Sequence, residues 1–323
     1  MVSAAFRAVM GRDPEEPELD QVLAVADEMD FASLLEWLYD SDEAADRILD
    51  RAPAALDRRM RRDPGPEQEE GAGTPRLVFL HIMKVAGTSF SHLLEQWAGP
   101  GRSRVHVYLD DLVLMSRLQL AATPVLTGHI PYEGLSLLPP AFQSLVVLRD
   151  PVERTLSHYR ELRRSRQQYS DLTLDEFIHS DVYDVPSGNY QARQLAHTIG
   201  VADAWITYSP RQRNRGVGGA PAEPYPLQSL FDSTPITVGD DELLEAAGAN
   251  LTAIDYVGVT EDLDALAARV GARFAATDTS VPRLRVSQPS EAADLTTAQR
   301  RRIESRTEVD RELHQLARRL AAR

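Results

Sequence analysis

The chain has no cysteine among its 323 residues, so neither a disulfide nor a thiolate metal site is open to it. It shows no apolar run long enough to cross a bilayer and no basic-then-apolar leader pattern, and these absences predict a soluble, cytoplasmic protein. Basic residues are the scarcer charge: 35 lysines and arginines face 49 aspartates and glutamates, a formal net charge of −14. General nucleic-acid binders carry basic faces that neutralise phosphates, so no nucleic-acid partner is expected. The common phosphate loop GxxxxGK[ST] is missing as well. Ordinary ATP and GTP enzymes therefore fit poorly.

What is present centres on Leu77–Trp97, LVFLHIMKVAGTSFSHLLEQW. Leu77 to Leu80 are uniformly apolar, a small-residue turn follows Lys84, and Phe90, Leu93, Leu94 and Trp97 recur at helical spacing. The pattern predicts a buried strand, a tight loop and a helix. A helix start leaves backbone N–H groups unpaired and carries partial positive charge, so a Gly/Thr/Ser loop beside a lysine forms a cradle for phosphate or sulfate. Strand-turn-helix units of this composition also occur without any nucleotide. A second stretch, Ser144–Arg149 (SLVVLR), reads as another buried strand, and Pro151 in Asp150–Tyr159 opens a helix. Arg149 at the strand's end and Ser157 two turns into the helix converge on one point above the sheet edge.

Together the two stretches resemble the signatures HIPKTAGTS and LRDPVxRxxSxY of the carbohydrate-type sulfotransferases that use 3′-phosphoadenosine 5′-phosphosulfate (PAPS), heparan 2-O-sulfotransferases among them. In that family the first motif holds the 5′-phosphosulfate, which by resemblance assigns it to Lys84, Val85, Ala86, Gly87, Thr88 and Ser89. The second holds the 3′-phosphate, which falls to Arg149 and Ser157. Met83 and Val85 stand where the family usually has proline and threonine. The loop Thr127-Gly128-His129-Ile130-Pro131-Tyr132 is similar to the family's GH loop, whose histidine is the general base in the heparan-type enzymes; the resemblance thus makes His129 the base. Lys84 becomes the electrostatic partner of the bridging oxygen. Pro186–Leu195 resembles the NxQxR helix start, leaving Asn189, Gln191 and Arg193 as candidate acceptor-binding residues, although Ser187 and its neighbours suit plain capping equally well. Ile254–Glu261 resembles FDYVGLTE, and His314 replaces the tyrosine of a closing DxxLY pattern. The resemblance implies no metal.

Strands alternating with helices predict an α/β domain over residues 76–323: a P-loop-like sulfotransferase fold with a central, mostly parallel sheet flanked by helices. The expected elements are strand 77–82, helix 88–97, strand 104–109, helix 111–119, strands 124–127 and 145–149, and helix 152–166. Residues 1–52 predict a small all-α module with Ser41 as an N-cap, suited to docking or oligomerisation. Residues 53–75 have the Pro/Gly/charged composition of a linker, and residues 210–226 that of an insertion. The function expected is sulfuryl transfer from PAPS to a hydroxyl of a glycan, glycolipid or secondary metabolite. A phosphotransferase or nucleotide hydrolase, and a non-catalytic binding protein on the same fold, are the alternatives.

Overall fold

The computed structural model describes residues 14–16, 23, 75–115, 117–165, 169–179, 188–196, 238–282 and 295–322. The expected module over 1–52, the linker over 53–75, Ser187 and the 210–226 insertion lie outside the described residues, apart from positions 14–16, 23 and 75. All elements below belong to one compact unit formed by residues 64–199 and 228–323.

Among the described residues, five strands form one all-parallel sheet: β1 (Leu77–Leu80), β2 (Ser103–Tyr108), β3 (Val125–His129), β4 (Gln143–Leu148) and β5 (Tyr256–Val259), ordered β2-β3-β1-β4-β5. The two innermost apolar runs reflect cover on both faces: every residue of β1 is apolar and buried, as are Leu145–Leu148 of β4. The flanking helices are α1 (Gly87–Ala98), α2 (Leu109–Leu114), α3 (Arg117–Ala122), α4 (Pro151–Ser165), α5 (Leu174–His179), α6 (Tyr190–Ala196), α7 (Asp240–Ala253), α8 (Leu263–Gly271), α9 (Thr297–Arg306) and α10 (Glu308–Ala321). None of the described helices is long and apolar enough to cross a membrane.

Two departures from the sequence pattern have local causes. The single helix expected over 111–119 is broken: Met115 takes an extended conformation (ψ 125°) and is almost fully buried, so chain direction there yields to burial of one side chain. The strand expected to end at residue 127 runs on to His129, which pairs with Tyr108 of β2. Gly128 permits this, since a Cβ there would stand 1.9 Å from the Val107 carbonyl oxygen, where β2 presses in beside its bulge.

Side-chain hydrogen bonds fix the remaining elements. The Asp255 carboxylate accepts from the Ser144 N–H (2.7 Å) and hydroxyl (2.8 Å), locking β5 to β4. Asp150 Oδ1 accepts from the amides of Val152 and Glu153, both at 3.0 Å, and starts α4 as an N-cap ahead of Pro151. The fully buried Asp310, in the first turn of α10, accepts from the amides of Gln191 (3.2 Å) and Ala192 (2.7 Å), while Asn189 Oδ1 accepts from the Asp310 N–H at 3.2 Å. Thus α6 and α10 cap each other. Burial raises the Asp310 pKa, and the positive charge of the buried Arg154 opposes that rise. Removing one side of a buried, hydrogen-bonded charge pair typically costs about 3–5 kcal/mol. Asp310→Ala is expected to destabilise the protein by that amount in denaturant titration, whereas a cost below about 1 kcal/mol would mark the pair as no more than a surface one.

Candidate functional site

In a parallel sheet of this kind, ligands bind beyond the carboxyl ends of the strands where the connections leave in opposite directions. Here the chain leaves β1 for the β2 side and crosses to β4 on the other side, so the ends of β3, β1 and β4 lie next to one another. His129, the loop 81–86 and Arg149 occupy those three ends.

The loop after β1 turns tightly with two non-glycine residues in the left-handed region, Lys84 (φ 72°) and Ala86 (φ 63°). Such backbone costs about 1–2 kcal/mol per residue and survives where surroundings over-determine it. Val85 supplies that constraint, being wholly buried between them. Ala86 is exposed, Thr88 half-buried and Ser89 buried, and α1 begins at Gly87. The first-turn amides of a helix have no intrahelical partner. The hydroxyls of Ser91 and Thr127 meet and tie α1 to β3.

His129 sits in a stack. Its ring lies 4.6 Å from that of His81 and 5.7 Å from that of Tyr108, and His81 stacks in turn on Phe79 at 5.6 Å. The Nδ1 of His129 is 2.8 Å from the His81 carbonyl oxygen. A carbonyl only accepts, so Nδ1 carries the proton and the neutral ring keeps its lone pair on Nε2. Burial lowers the His129 pKa foremost. The His81 carbonyl works against this, and the neighbouring charges of His106 and Lys84 lower it further. The imidazole is therefore neutral and basic at neutral pH.

Lys84 is the only lysine in the chain, every other permanent cation being one of 34 arginines. Its Nζ lies 3.3 Å from Glu161 Oε2 on α4, and that same oxygen is 2.5 Å from Arg164 Nη2. Arg149 donates from Nη1 to the Lys84 carbonyl at 3.2 Å and faces Glu153 at 3.5 Å. Burial lowers the Arg149 pKa, the carboxylates of Glu153 and Glu261 oppose this, and Arg160 adds to the lowering. A half-buried guanidinium under such pressure is relieved by any anion that arrives. The structure thus gathers His129, Lys84 and Arg149 into one electrostatic neighbourhood, with Ser157 buried on α4.

Asn189, Gln191 and Arg193 are placed differently from a ligand-facing trio. Gln191 is fully buried and pairs with the backbone of Arg149, accepting its N–H and donating to its carbonyl, both at 2.9 Å. Asn189 (φ 45°) caps α10, and Arg193 is buried. Gln191 bears on a ligand indirectly, since it holds Arg149 at its backbone. His81 lies inside the first motif, where its place beside the loop suits an orienting part, whereas nothing local in the sequence marks Tyr108 or Glu161. A Cβ on Gly87 would stand 1.8 Å from His81 Cδ2. Gly87→Ala must therefore displace the His81 ring and uncover His129. The variant is expected to lose about 1–3 kcal/mol of stability, as overpacking does. Its His129 pKa, followed by imidazole NMR, should rise towards about 6.5; an unmoved pKa would show that the stack does not govern it.

Compared with the models of known protein families the chain matches none, and no curated protein matches it either. What the site does is accordingly read from its own geometry.

Proposed function

We propose that the protein is a PAPS-dependent O-sulfotransferase, on a P-loop-like variant of the parallel α/β fold. The observation that supports this best is the pairing at adjacent strand ends of a neutral histidine, its Nε2 lone pair left available by the Nδ1 bond to a carbonyl, with a lysine and a half-buried arginine on either side of a helix start. The donor set suits a ligand with two anionic ends: Lys84, the amides of Gly87 and Thr88 and the hydroxyls of Thr88 and Ser89 for a phosphosulfate, Arg149 and Ser157 for a 3′-phosphate. When bound, the nucleotide would supply the sulfuryl group and leave as 3′-phosphoadenosine 5′-phosphate.

The residues then divide the work. His129 Nε2 takes the proton from the acceptor hydroxyl as its oxygen bonds to sulfur. The Lys84 ammonium meets the negative charge growing on the oxygen between sulfur and phosphorus as that bond breaks. Lysine suits the role because its compact charge swings on a flexible stem, whereas arginine offers a fixed fork. Glu161 keeps the ammonium at the site, and releasing it leaves the carboxylate with Arg164. Gln191 acts through Arg149 in this reading.

Four measurements test it. His129→Asn is expected to lose about 10²–10⁴-fold in turnover while the affinity for 3′-phosphoadenosine 5′-phosphate stays nearly unchanged in calorimetry. The base works only when neutral, and burial depresses its pKa, so kcat/KM should hold constant as pH falls and drop only below about pH 6.5. An acid limb above that value would give the proton to another group. 3′-Phosphoadenosine 5′-phosphate should also bind far more tightly than AMP, with Arg149→Ala about ten-fold weaker or more. Finally, because Lys84 is the sole lysine, an amine-reactive reagent should modify one side chain, and the nucleotide should protect it, as read by intact mass. Equal affinity for AMP, or no protection, would overturn the assignment.

A further inference from the structure

Beyond Glu161, the same helix opens onto a second basic feature. Tyr159, Arg160, Arg163, Arg164 and Ser170 line a surface pocket of about 300 Å³. Arg163 does not wave in solvent: its Nε donates to the Ser170 carbonyl at 3.0 Å, its Nη1 reaches the Tyr159 hydroxyl at 3.3 Å, and its guanidinium lies over the Tyr159 ring at 5.7 Å. The Tyr159 hydroxyl is itself fixed, donating to the Leu172 carbonyl at 2.9 Å. Arg164 is held by Glu161, the carboxylate that also holds Lys84. Arg160 lies close enough to Arg149 to depress its pKa. Three guanidinium groups are thus gathered around one pocket, two of them pinned by hydrogen bonds, and among the described residues Glu161 is the one carboxylate that either is bonded to. Cations at a helix C-terminus gain a few tenths of a kcal/mol from the helix dipole. That accounts for basic residues here, but not for fixing them around a cavity.

We propose that this pocket binds an acidic group carried by the acceptor: a carboxylate, sulfate or phosphate ester on the molecule whose hydroxyl is sulfated. The proposal rests on the sulfotransferase reading for the word acceptor and on the pocket alone for the anion. A volume of about 300 Å³ is at the lower end for a small-molecule site and suits one acidic sugar residue. One carboxylate, Glu161, separates the pocket from Lys84, so an acidic residue seated there would place a neighbouring hydroxyl towards the transfer site. Rigid, preorganised guanidinium groups lose little entropy on binding and read oxyanions through paired N–H groups.

The test uses the full chain saturated with 3′-phosphoadenosine 5′-phosphate, which fills the nucleotide site. Glucuronate, glucose 6-sulfate, glucose and inorganic sulfate are titrated by calorimetry into the wild type, Arg163→Gln and the double variant R163Q/R164Q. The sugar acids are expected to bind saturably and more tightly than inorganic sulfate, and glucose not to bind. Affinity should fall about ten-fold in Arg163→Gln and further in the double variant, with nucleotide affinity unchanged in Arg163→Gln, whose side chain touches neither Glu161 nor Lys84 in this structure. Sulfate binding as tightly as the sugar acids would make this a free-anion site and overturn the acceptor role. Absent or variant-insensitive binding would overturn the pocket itself. A parallel loss of nucleotide affinity would give the pocket to the nucleotide instead. Arg163 is exposed and its substitution removes no core packing, so a folding defect in the double variant leaves the single variant to decide. If the nucleotide fails to bind at all, the sulfotransferase reading falls, and the same titrations without it still decide whether the arginines hold an anion.

Discussion

A single buried carboxylate, Asp310, sets the position of the whole Arg149 side of the site. Buried charge is costly unless it is paired and hydrogen-bonded, and Asp310 meets both conditions by drawing the starts of two helices together. It takes the amides of Gln191 and Ala192 and feels the charge of Arg154, whose guanidinium lies 4.9 Å over the Tyr190 ring. The consequence reaches the surface in one step. With α6 fixed by its first turn, the Gln191 side chain meets the end of β4 and supplies both hydrogen bonds that a further strand residue would have made. Arg149 is thereby held at the backbone, and its side chain alone is left to swing. A side chain that has to be presented in one fixed geometry gains most from this kind of support.

The His129 side is governed by close approach. Gly128 lets β2 press against β3, and Gly87 lets the His81 ring lie flat on the start of α1. Each glycine is there for the space a methyl would take. Between these contacts the His129 ring is clamped by aromatic neighbours on two sides, and the His81 carbonyl chooses its tautomer. One residue, His81, therefore supplies both the stacking surface and the acceptor. Orientation and protonation state come from the same contact.

The fold was legible in the sequence because parallel strands buried on both faces write themselves as short continuous apolar runs. LVFL and SLVVL are such runs, and both strands appear within about two residues of their expected ends. Their order was not legible: nothing local in β1 says that β3 and β4 flank it. The left-handed residues Lys84 and Ala86 were equally hidden, since neither is a residue type that announces such backbone. Long-range partners formed the largest gap. Asn189 and Gln191 sit in a motif that reads as ligand-facing, yet their partners are Asp310, about a hundred residues on, and the backbone of Arg149, some forty residues back. A polar motif says that hydrogen bonds are made and leaves open with whom. Glu161 was hidden for a related reason, as one acid among the arginines of a helix that reads as a solvated face.

That acid also explains how a chain of net charge −14 can present a site to an anion. At physiological ionic strength the field of a charge is screened over about 8 Å, so the sum over the whole chain matters less than what lies within that radius. Around the β1 and β4 ends the cations Lys84, Arg149, Arg160 and Arg164 lie among the acids Asp150, Glu153, Glu161 and Glu261. Glu161 contacts two cations with one oxygen, an arrangement that keeps Lys84 from folding away into solvent. An incoming anion does not have to break the pair outright: Arg164 still holds the carboxylate as the ammonium turns. The exchange swaps one carboxylate for another oxyanion at nearly constant desolvation. The acidic remainder of the chain, beyond the screening distance, sets solubility rather than what the site binds.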